Sequence, residues 1–386
     1  MVAAAGLAAL AVAMGIGRFA FTPILPMMQE DAGVSISAGA WLAAANYLGY
    51  FIGALSVIVV PIRAAPAIRG ALVTIALTTL GMGVQDHFAI WIVLRTLAGI
   101  ASAWVLVCTS AWCLERLVPL RRPALESTVF AGVGTGIALA GVTCLALMRL
   151  HATSSRAWIV LGIASLFVTV TIWPVFGAGG GANVPDRRDV EAKPAWNGEW
   201  LRLTLCYGAY GFGYIIPATF LPVMARQAIA DPAVFGLSWP IFGVAAITST
   251  MLVSRVRRRV TNRAIWIACH LLMALGIALP VVRPGITATI LAAIGVGGTF
   301  LVVTMVGMQE ARDVAGPRAT ALMAAMTSAF ALGQIVGPML ASALHGPDGN
   351  FSAALLVACG ALLVSAWGLL LPWGTRRGSP YPSVFT

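Results

Sequence analysis

One arginine interrupts the apolar N-terminal stretch of the chain, and its side chain is the best candidate for binding a ligand. Arg18 lies in residues 2–29, which contain no other charged side chain. A guanidinium at the centre of a membrane-spanning helix costs at least about 2.5 kcal/mol, so we expect it to face a wet cavity, another helix or a ligand. Its planar donor fork binds carboxylate or phosphate bidentately. Because no Asp or Glu falls at the same depth, an anionic ligand would supply the missing counter-charge.

Four polar side chains from other segments are predicted at a similar depth. At a rise of about 1.5 Å per residue, Arg18 lies roughly 15 Å inside its helix end and Asn46 about 12 Å inside its own. Tyr210, Tyr214 and Gln334, from the second half of the chain, fall near the middle of their segments. We predict that these five residues line one cavity and bind a substrate there. The alternative is that Arg18 bonds to backbone carbonyls or to Asn46 and only holds helices together.

Three charged residues are candidates for gating or coupling. Arg95, in the fourth apolar segment, serves either that role or packing against the glycines of the fifth segment. Glu310 and Arg312, with the neighbouring Asp313 and Arg318, form either a cytoplasmic gate or a solvated loop. The sequence leaves both choices open.

The composition indicates an integral membrane protein. Hydrophobic residues make up 60% of the chain and charged residues 10%, with a mean hydropathy of +0.92, which a soluble domain of this length does not reach. The net charge of +11 comes from basic residues between apolar runs, so membrane topology explains it better than a nucleic acid partner. The six cysteines lie in apolar segments without metal-ligand spacing. No nucleotide-binding loop, HExxH or GxSxG motif occurs, so we expect no catalytic residues, no metal and no cofactor.

Twelve apolar segments are long enough to span a hydrocarbon core of about 30 Å. They are continuous rather than alternating, which favours helices over barrel strands. The expected fold is therefore all-α, with twelve transmembrane helices. The predicted spans are 2–29, 38–60, 69–85, 88–114, 123–149, 155–176, 199–226, 234–254, 262–282, 286–310, 318–344 and 350–373.

The basic residues orient these spans. If both termini are cytoplasmic, eighteen of the 24 basic residues fall in inside loops and ends and only four fall outside. This bias predicts cytoplasmic termini. The polar interval 177–198 contains three consecutive glycines followed by mixed charges. It predicts a cytoplasmic linker between an N-terminal half, residues 1–176, and a C-terminal half, residues 199–386.

The two halves of the chain are related by an internal repeat. A shift of 196 residues sets Tyr214 against Arg18, so the charge belongs to one half only. Both halves run in the same direction, which predicts parallel, pseudo-symmetric repeats related by an axis along the membrane normal. The same shift aligns Gly15, Gly17, Pro26, Met28, Gly99 and Gly141 with Gly211, Gly213, Pro222, Met224, Gly295 and Gly337.

This organisation resembles the major facilitator superfamily over the whole chain. The opening stretch, Gly-Ile-Gly-Arg-Phe at residues 15–19 and Thr-Pro-Ile-Leu-Pro-Met-Met at residues 22–28, is similar to its YbfB/YjiJ branch. In the fourth segment, Arg95, Gly99, Ser102 and Ala103 resemble the superfamily's arginine-and-glycine motif, which is tied there to proton coupling or helix packing. The resemblance implies a monomeric secondary transporter with a substrate cavity between two six-helix halves.

These features predict a secondary active transporter of a bacterial-type inner membrane that works by alternating access. We expect its substrate to be a small organic anion, carboxylate-like, bound by Arg18, and its other partners to be the lipid bilayer and a proton or counter-anion. One alternative is an exporter of amphipathic drugs or metabolites, with a cavity built from Trp104, Phe212 and the tyrosines. The other is a non-transporting membrane receptor or scaffold that signals through residues 177–198.

Overall fold

The structure is a computed structural model that describes residues 1–59, 63–117, 123–177, 197–228, 231–346 and 350–371. Within these ranges the chain is built from long helices. They are α1 (Val2–Asp31), α2 (Ile36–Val59), α3 (Ala64–Val84), α4 (Phe88–Leu117), α5 (Pro123–Arg149), α6 (Ser154–Ile172), α7 (Gly198–Ala228), α8 (Ser238–Val256), α9 (Asn262–Val282), α10 (Ile286–Ala315), α11 (Ala319–Ala343) and α12 (Ser352–Leu370).

The helices begin and end close to the predicted segments, because apolar length decides where a helix fits a bilayer. α5 and α9 match the predicted ranges, whereas α3 begins at Ala64 instead of residue 69 and α10 continues to Ala315 instead of residue 310. Among the described residues, eleven helices are long and apolar enough to cross a membrane, and α8 adds a shorter apolar run. The prediction of an all-helical membrane protein is confirmed.

α1 changes its winding in the middle, where Arg18 lies. Val2–Leu10 is α-helical, Ala11–Phe19 is π-helical and Phe21–Asp31 is α-helical again. A π turn bonds each N–H to the carbonyl five residues earlier, and such turns are frequent at functional sites. Pro23 has no N–H, so the first turn of the α-helical stretch after the π turn lacks one backbone donor. The change in winding and this proline alter the regular backbone bonding near Arg18.

Glycines let the helices around Arg18 approach closely. A methyl group added at Gly15 of α1 would overlap the backbone of Gly136 in α5. A methyl group at Gly99 of α4 would lie 2.8 Å from the backbone nitrogen of Tyr50 in α2. Small residues at such crossings allow backbones to pack in direct contact. These contacts fix the spacing of α1, α2, α4 and α5.

The first six helices meet the last six where α1 packs on α7, α2 on α11 and α5 on α8. α5 and α8 are joined closely at Gly141, where an added methyl group would lie 2.6 Å from Pro240. The predicted linker at 177–198 falls almost wholly outside the described residues. The division into halves 1–176 and 199–386 and their repeat relation stay predictions.

Candidate substrate site

The Arg18 side chain is buried at the centre of the bundle, where it meets helices from both ends of the chain. It is 2% exposed. Its Nη2 donates to Oε1 of Gln334, on α11, at 3.0 Å. Its Cζ lies 3.9 Å from the centre of the Tyr50 ring and 5.4 Å from the rings of Tyr47 and Phe19. The guanidinium is therefore enclosed by aromatic faces, which attract a cation.

The hydrogen-bonding capacity of Arg18 is only partly used. A guanidinium carries five N–H donors. The Nε atom is buried and has no hydrogen-bond partner. In the part of the chain that the structure describes, the ion pairs involve other arginines and none involves Arg18. A buried charge without a counter-ion is costly, and an acceptor that carries negative charge would offset that cost.

Arg95 and Asn46 bind the backbone that carries Arg18. Nη1 of Arg95 donates to the Gly17 carbonyl at 3.3 Å, and Nη2 donates to the Arg18 carbonyl at 3.2 Å. Nδ2 of Asn46 donates to the Gly17 carbonyl at 3.2 Å and to the Arg95 carbonyl at 2.9 Å. Two consecutive carbonyls of the π-helical stretch therefore accept hydrogen bonds from side chains of α2 and α4. The two residues thus position Arg18 through its main chain.

The fourth-helix residues that resemble the superfamily motif all lie against α1 or α2. Besides Arg95, Ser102 donates from Oγ to the Ala13 carbonyl of α1 at 2.8 Å. A methyl group at Gly17 would lie 2.6 Å from the same Oγ atom. Gly99 packs on the α2 backbone, as described above. The packing interpretation of this motif agrees with these contacts; a role in coupling stays a prediction.

An aromatic stack lies beyond Gln334, on the side formed by α7, α10 and α11. Nε2 of Gln334 donates to the hydroxyl of Tyr214. The Tyr214 ring lies 5.7 Å from both Phe300 and Phe330, with 9° between the planes in each pair. Tyr210 stacks on Tyr214 at 5.1 Å, and its hydroxyl donates to the Phe300 carbonyl. The guanidinium of Arg18 is therefore linked, through the side-chain amide of Gln334, to the parallel rings around Tyr214.

The structure brings the predicted site residues together to different degrees. Arg18, Gln334 and Tyr214 form one continuous chain of hydrogen bonds. Asn46 lies behind Arg18 at its backbone, and its Oδ1 is buried without a partner. Tyr210 is turned toward α10 and is linked to Arg18 through Tyr214. All five are at most 2% exposed, so the site is closed to solvent in this conformation.

The predicted five-residue site did not include Tyr50, Phe300 and Phe330, although Tyr50 is among the tyrosines of the alternative exporter cavity. One signal was available for Tyr50, because it follows Asn46 by four residues and so shares its helix face. Phe300 and Phe330 carry no comparable signal, since aromatic residues are frequent in apolar helices. Their place beside Tyr214 depends on how α10 and α11 are rotated.

Contacts between α1, α2 and α7 close the bundle on the C-terminal side of Arg18. Oγ1 of Thr22 donates to the Ala218 carbonyl at 2.8 Å. The hydroxyls of Tyr47 and Thr219 lie 3.0 Å apart. Arg226 donates from Nη1 to the Pro26 carbonyl at 2.7 Å. The basic-residue bias predicts that this end of the bundle faces outward.

The charged residues predicted at the cytoplasmic end of α10 separate in the structure. Glu310 accepts from Arg263 of α9, with Nε at 3.0 Å and Nη2 at 2.8 Å. Arg263 also pairs with Glu199 of α7, which in turn pairs with Arg202. Arg312 is exposed. The cluster therefore ties α7, α9 and α10 to one another, and a gating role for Glu310 and Arg312 stays a prediction.

A bundle of long apolar helices is the architecture of a polytopic membrane protein. The fold is similar to that of a crystal structure of the nucleoside transporter NupG. That similarity has a TM-score of 0.72 at 14% sequence identity and covers 96% of this chain and 99% of the other.

Residues 10–370 match the family described as "Uncharacterised MFS-type transporter YbfB", and the chain belongs to that family. This confirms the resemblance seen in residues 15–28. Comparison with curated proteins finds no match. At 14% identity, the likeness to the nucleoside transporter describes the fold alone.

Proposed function

We propose that this transporter carries a small organic anion, with a carboxylate or a similar group, across the inner membrane by alternating access, and that Arg18 binds the anion. The observation that carries the proposal is the unbalanced charge of Arg18. The side chain is buried, its Nε has no partner, and no ion pair forms to it within the described residues. An anionic substrate supplies both the charge and the acceptor atoms, in a charge-assisted pair that a water-excluded site strengthens.

The contrast with Arg95 supports this assignment. Both guanidinium groups are buried to the same extent. Arg95 uses its donors on backbone carbonyls of α1, whereas Arg18 donates to the Gln334 side chain and leaves its Nε unused. A residue that only holds helices together would be expected to satisfy its donors as Arg95 does. We therefore assign binding to Arg18 and positioning to Arg95.

The surrounding side chains fit a substrate that also has a hydrogen-bond donor. Oδ1 of Asn46 is buried and unpartnered close to the Gly17 carbonyl that its own Nδ2 binds. A hydroxyl or ammonium group next to the substrate carboxylate would satisfy it. Tyr214 lies on the side of Gln334 that faces away from Arg18, where its hydroxyl accepts from the Gln334 amide, and Tyr210 stacks on the Tyr214 ring.

The remaining parts of the proposal concern topology and coupling. We assign both termini to the cytoplasm and residues 1–176 and 199–386 to two halves that rock about the site, in a monomer. The coupled species is a proton or a counter-anion. A proton would travel on the substrate itself, since no carboxylate of the described chain pairs with Arg18.

A second candidate is the transport of planar neutral or amphipathic compounds, either metabolites or drugs. It is favoured by the parallel rings of Tyr214, Phe300 and Phe330. The similar crystal structure is that of a nucleoside transporter, and a nucleoside contains a planar base. The predicted use of Trp104 fits less well, because its Nε1 donates to Ser56 within the first six helices.

The deciding experiment is a thermal-unfolding screen of detergent-purified protein at matched ionic strength. The compounds are acetate, lactate, benzoate, inorganic phosphate, methanesulfonate and uridine. A ligand at 100 times its Kd adds about 2.7 kcal/mol to the free energy of unfolding, which is a measurable rise in Tm. We expect carboxylates to stabilise the wild type and to have no effect on Arg18→Gln.

Arg283→Gln is the matched control, because Arg283 is an exposed arginine at the end of α9. This variant also loses one positive charge but should respond to carboxylates as the wild type does. Equal stabilisation of Arg18→Gln and wild type by carboxylates would remove Arg18 from the binding site. Stabilisation by uridine alone, in both proteins, would favour the planar-compound candidate.

A further inference from the structure

Gln334 occupies the place on Arg18 that a substrate carboxylate would need. Its side chain extends from α11 toward α1 and is completely buried, at 0% exposed. Oε1 lies 3.0 Å from Nη2 of Arg18, and Nε2 donates to the hydroxyl of Tyr214. Arg18 can only donate, so the oxygen of the amide must face it and the nitrogen must face Tyr214. The orientation of the amide is therefore decided by its partners.

A carboxamide has the planar shape of a carboxylate but no charge. Its oxygen accepts a hydrogen bond from a guanidinium, yet it leaves the positive charge unbalanced. A carboxylate at the same position accepts a bond that is shorter and about twice as strong, and it can accept from a second donor as well. The unpartnered Nε of Arg18 offers that second donor.

We propose that Gln334 is an internal stand-in for the substrate: it binds Arg18 in the empty transporter, and the substrate carboxylate displaces it. This inference rests on the proposed function. It replaces the sequence-based prediction that Gln334 is itself a substrate ligand. The hydrogen bond between Arg18 and Gln334 joins α1 to α11. Its replacement by a bond from Arg18 to the substrate carboxylate would therefore alter the contact between the first six and last six helices at their centre.

The inference predicts opposite effects for two substitutions. Gln334→Met keeps a side chain of similar length and removes the competing acceptor, so the Kd for benzoate should fall by about tenfold, the change that 1.4 kcal/mol produces. Gln334→Glu places a permanent carboxylate beside Arg18. We expect this variant to have a higher Tm without ligand and no response to benzoate, acetate or inorganic phosphate.

The test measures Tm against benzoate, acetate and inorganic phosphate for wild type, Arg18→Gln, Gln334→Met, Gln334→Glu and Gln227→Met. Gln227 is an exposed glutamine of α7, and its substitution should leave the wild-type response unchanged. Gln334→Leu replaces the methionine variant if that protein does not fold. The Kd values come from the dependence of Tm on anion concentration.

The outcomes separate the inference from the proposed function. No anion response in the wild type would overturn both. A response that disappears in Arg18→Gln, together with weaker binding in Gln334→Met, or in Gln334→Leu where that variant replaces it, would leave the anion site in place and make Gln334 a substrate ligand, which overturns the inference alone. A wild-type response in Gln334→Glu would also overturn it. Tighter binding in the methionine or leucine variant, with loss of binding in the glutamate variant, is the supporting result.

Discussion

At the residue scale, two buried arginines differ in their bonding, and we have proposed different roles for them on that ground. Arg95 donates from its guanidinium to carbonyls of α1 and α2, and its Cζ lies 4.8 Å from the Phe21 ring. Arg18 lies against aromatic faces and has a donor to spare. The two arginines bond differently because of where α1 directs its groups. Its Gly17 and Arg18 carbonyls face Arg95 of α4, whereas the Arg18 side chain points toward α2 and α11.

Arg95→Lys tests whether this arginine acts through the backbone of Arg18. A lysine keeps the charge but has a single nitrogen, so it does not reproduce the two separate nitrogens that donate to the Gly17 and Arg18 carbonyls. We expect the free energy of unfolding to fall by about 1.5 to 3 kcal/mol, the net value of hydrogen bonds from a charged donor. Anion affinity should fall as well, because Arg18 loses its support. Both are measured by thermal unfolding with and without benzoate.

A different outcome for Arg95→Lys would assign Arg95 to coupling. A lysine variant with wild-type stability and anion affinity but with changed proton dependence of transport would make Arg95 a coupling residue. That measurement uses reconstituted vesicles with an imposed pH gradient. Arg69→Lys serves as the control, because Arg69 lies away from the site and donates to the Trp173 carbonyl.

At the element scale, the crossing of α2 and α4 sets the distance between the residues that surround Arg18. α4 contributes Gly99 to this crossing, and α2 contributes the backbone of Asn46 and Tyr50. The two helices touch through main-chain atoms at this crossing, so a side-chain atom added there must push the helices apart. Protein interiors of this density accommodate little added volume.

Gly99→Ala should therefore destabilise the protein, and a second glycine provides a matched comparison. The added methyl group overlaps α2, which costs about 1 to 3 kcal/mol in an interior that is already packed. Gly70, in α3, has nothing within 4 Å of an added methyl group. Gly70→Ala should be neutral or stabilise by up to about 1 kcal/mol, because alanine favours the helix.

The two alanine variants are compared by chemical or thermal unfolding in the same detergent. Equal effects at the two glycines would mean that helix propensity and not helix contact decides the outcome. A normal Tm for Gly99→Ala would show that α2 and α4 can separate without cost. The anion response of Gly99→Ala should also weaken, since Asn46 and Tyr50 both shift with α2.

At the scale of the whole molecule, the buried site must open for a substrate to enter. The five predicted site residues are at most 2% exposed. Hydrogen bonds between α1, α2 and α7 close the bundle on the C-terminal side of Arg18, through Thr22, Tyr47 and Arg226. Opening at that end requires these bonds to break, whereas the proposed displacement of Gln334 from Arg18 depends on the substrate.

Removal of the closing hydroxyls should shift the molecule toward the open form. Thr22→Val with Tyr47→Phe deletes two hydrogen bonds, each worth about 0.5 to 1.5 kcal/mol, so opening should become roughly 5 to 150 times more frequent. The measurement is the rate at which Met28→Cys reacts with a membrane-impermeant maleimide. Met28 is completely buried in the closed form, at 0% exposed.

The native cysteines provide the background for this labelling experiment, and five of the six are buried. Thr171→Val is the control, because its hydroxyl bonds to the carbonyl of its own helix at Phe167. An unchanged rate in the double variant would mean that other contacts hold this end closed. Labelling from the cytoplasmic side only would instead contradict the predicted outward orientation of this end.

Much of the fold could be predicted from the sequence, because a membrane simplifies the problem. Every span needs about 20 apolar residues, and each helix satisfies its own backbone hydrogen bonds, so hydropathy alone locates the helices. The π winding of α1 at Ala11–Phe19, in contrast, was not predicted. Arg18 could be singled out because a charge inside an apolar span is costly wherever the helix packs.

The partners of Arg18 were decided only by the tertiary structure. Gln334 lies 316 positions away along the chain, and Arg263, the partner of Glu310, is on a different helix. Such pairs depend on how each helix is rotated and how deep it sits. Hydropathy does not encode rotation when a helix is apolar on all sides, since the lipid-facing and protein-facing surfaces then have similar residues. The sequence by itself therefore determined the helices and singled out the charge of Arg18. The rotation and depth of the packed helices determined that this charge contacts Gln334.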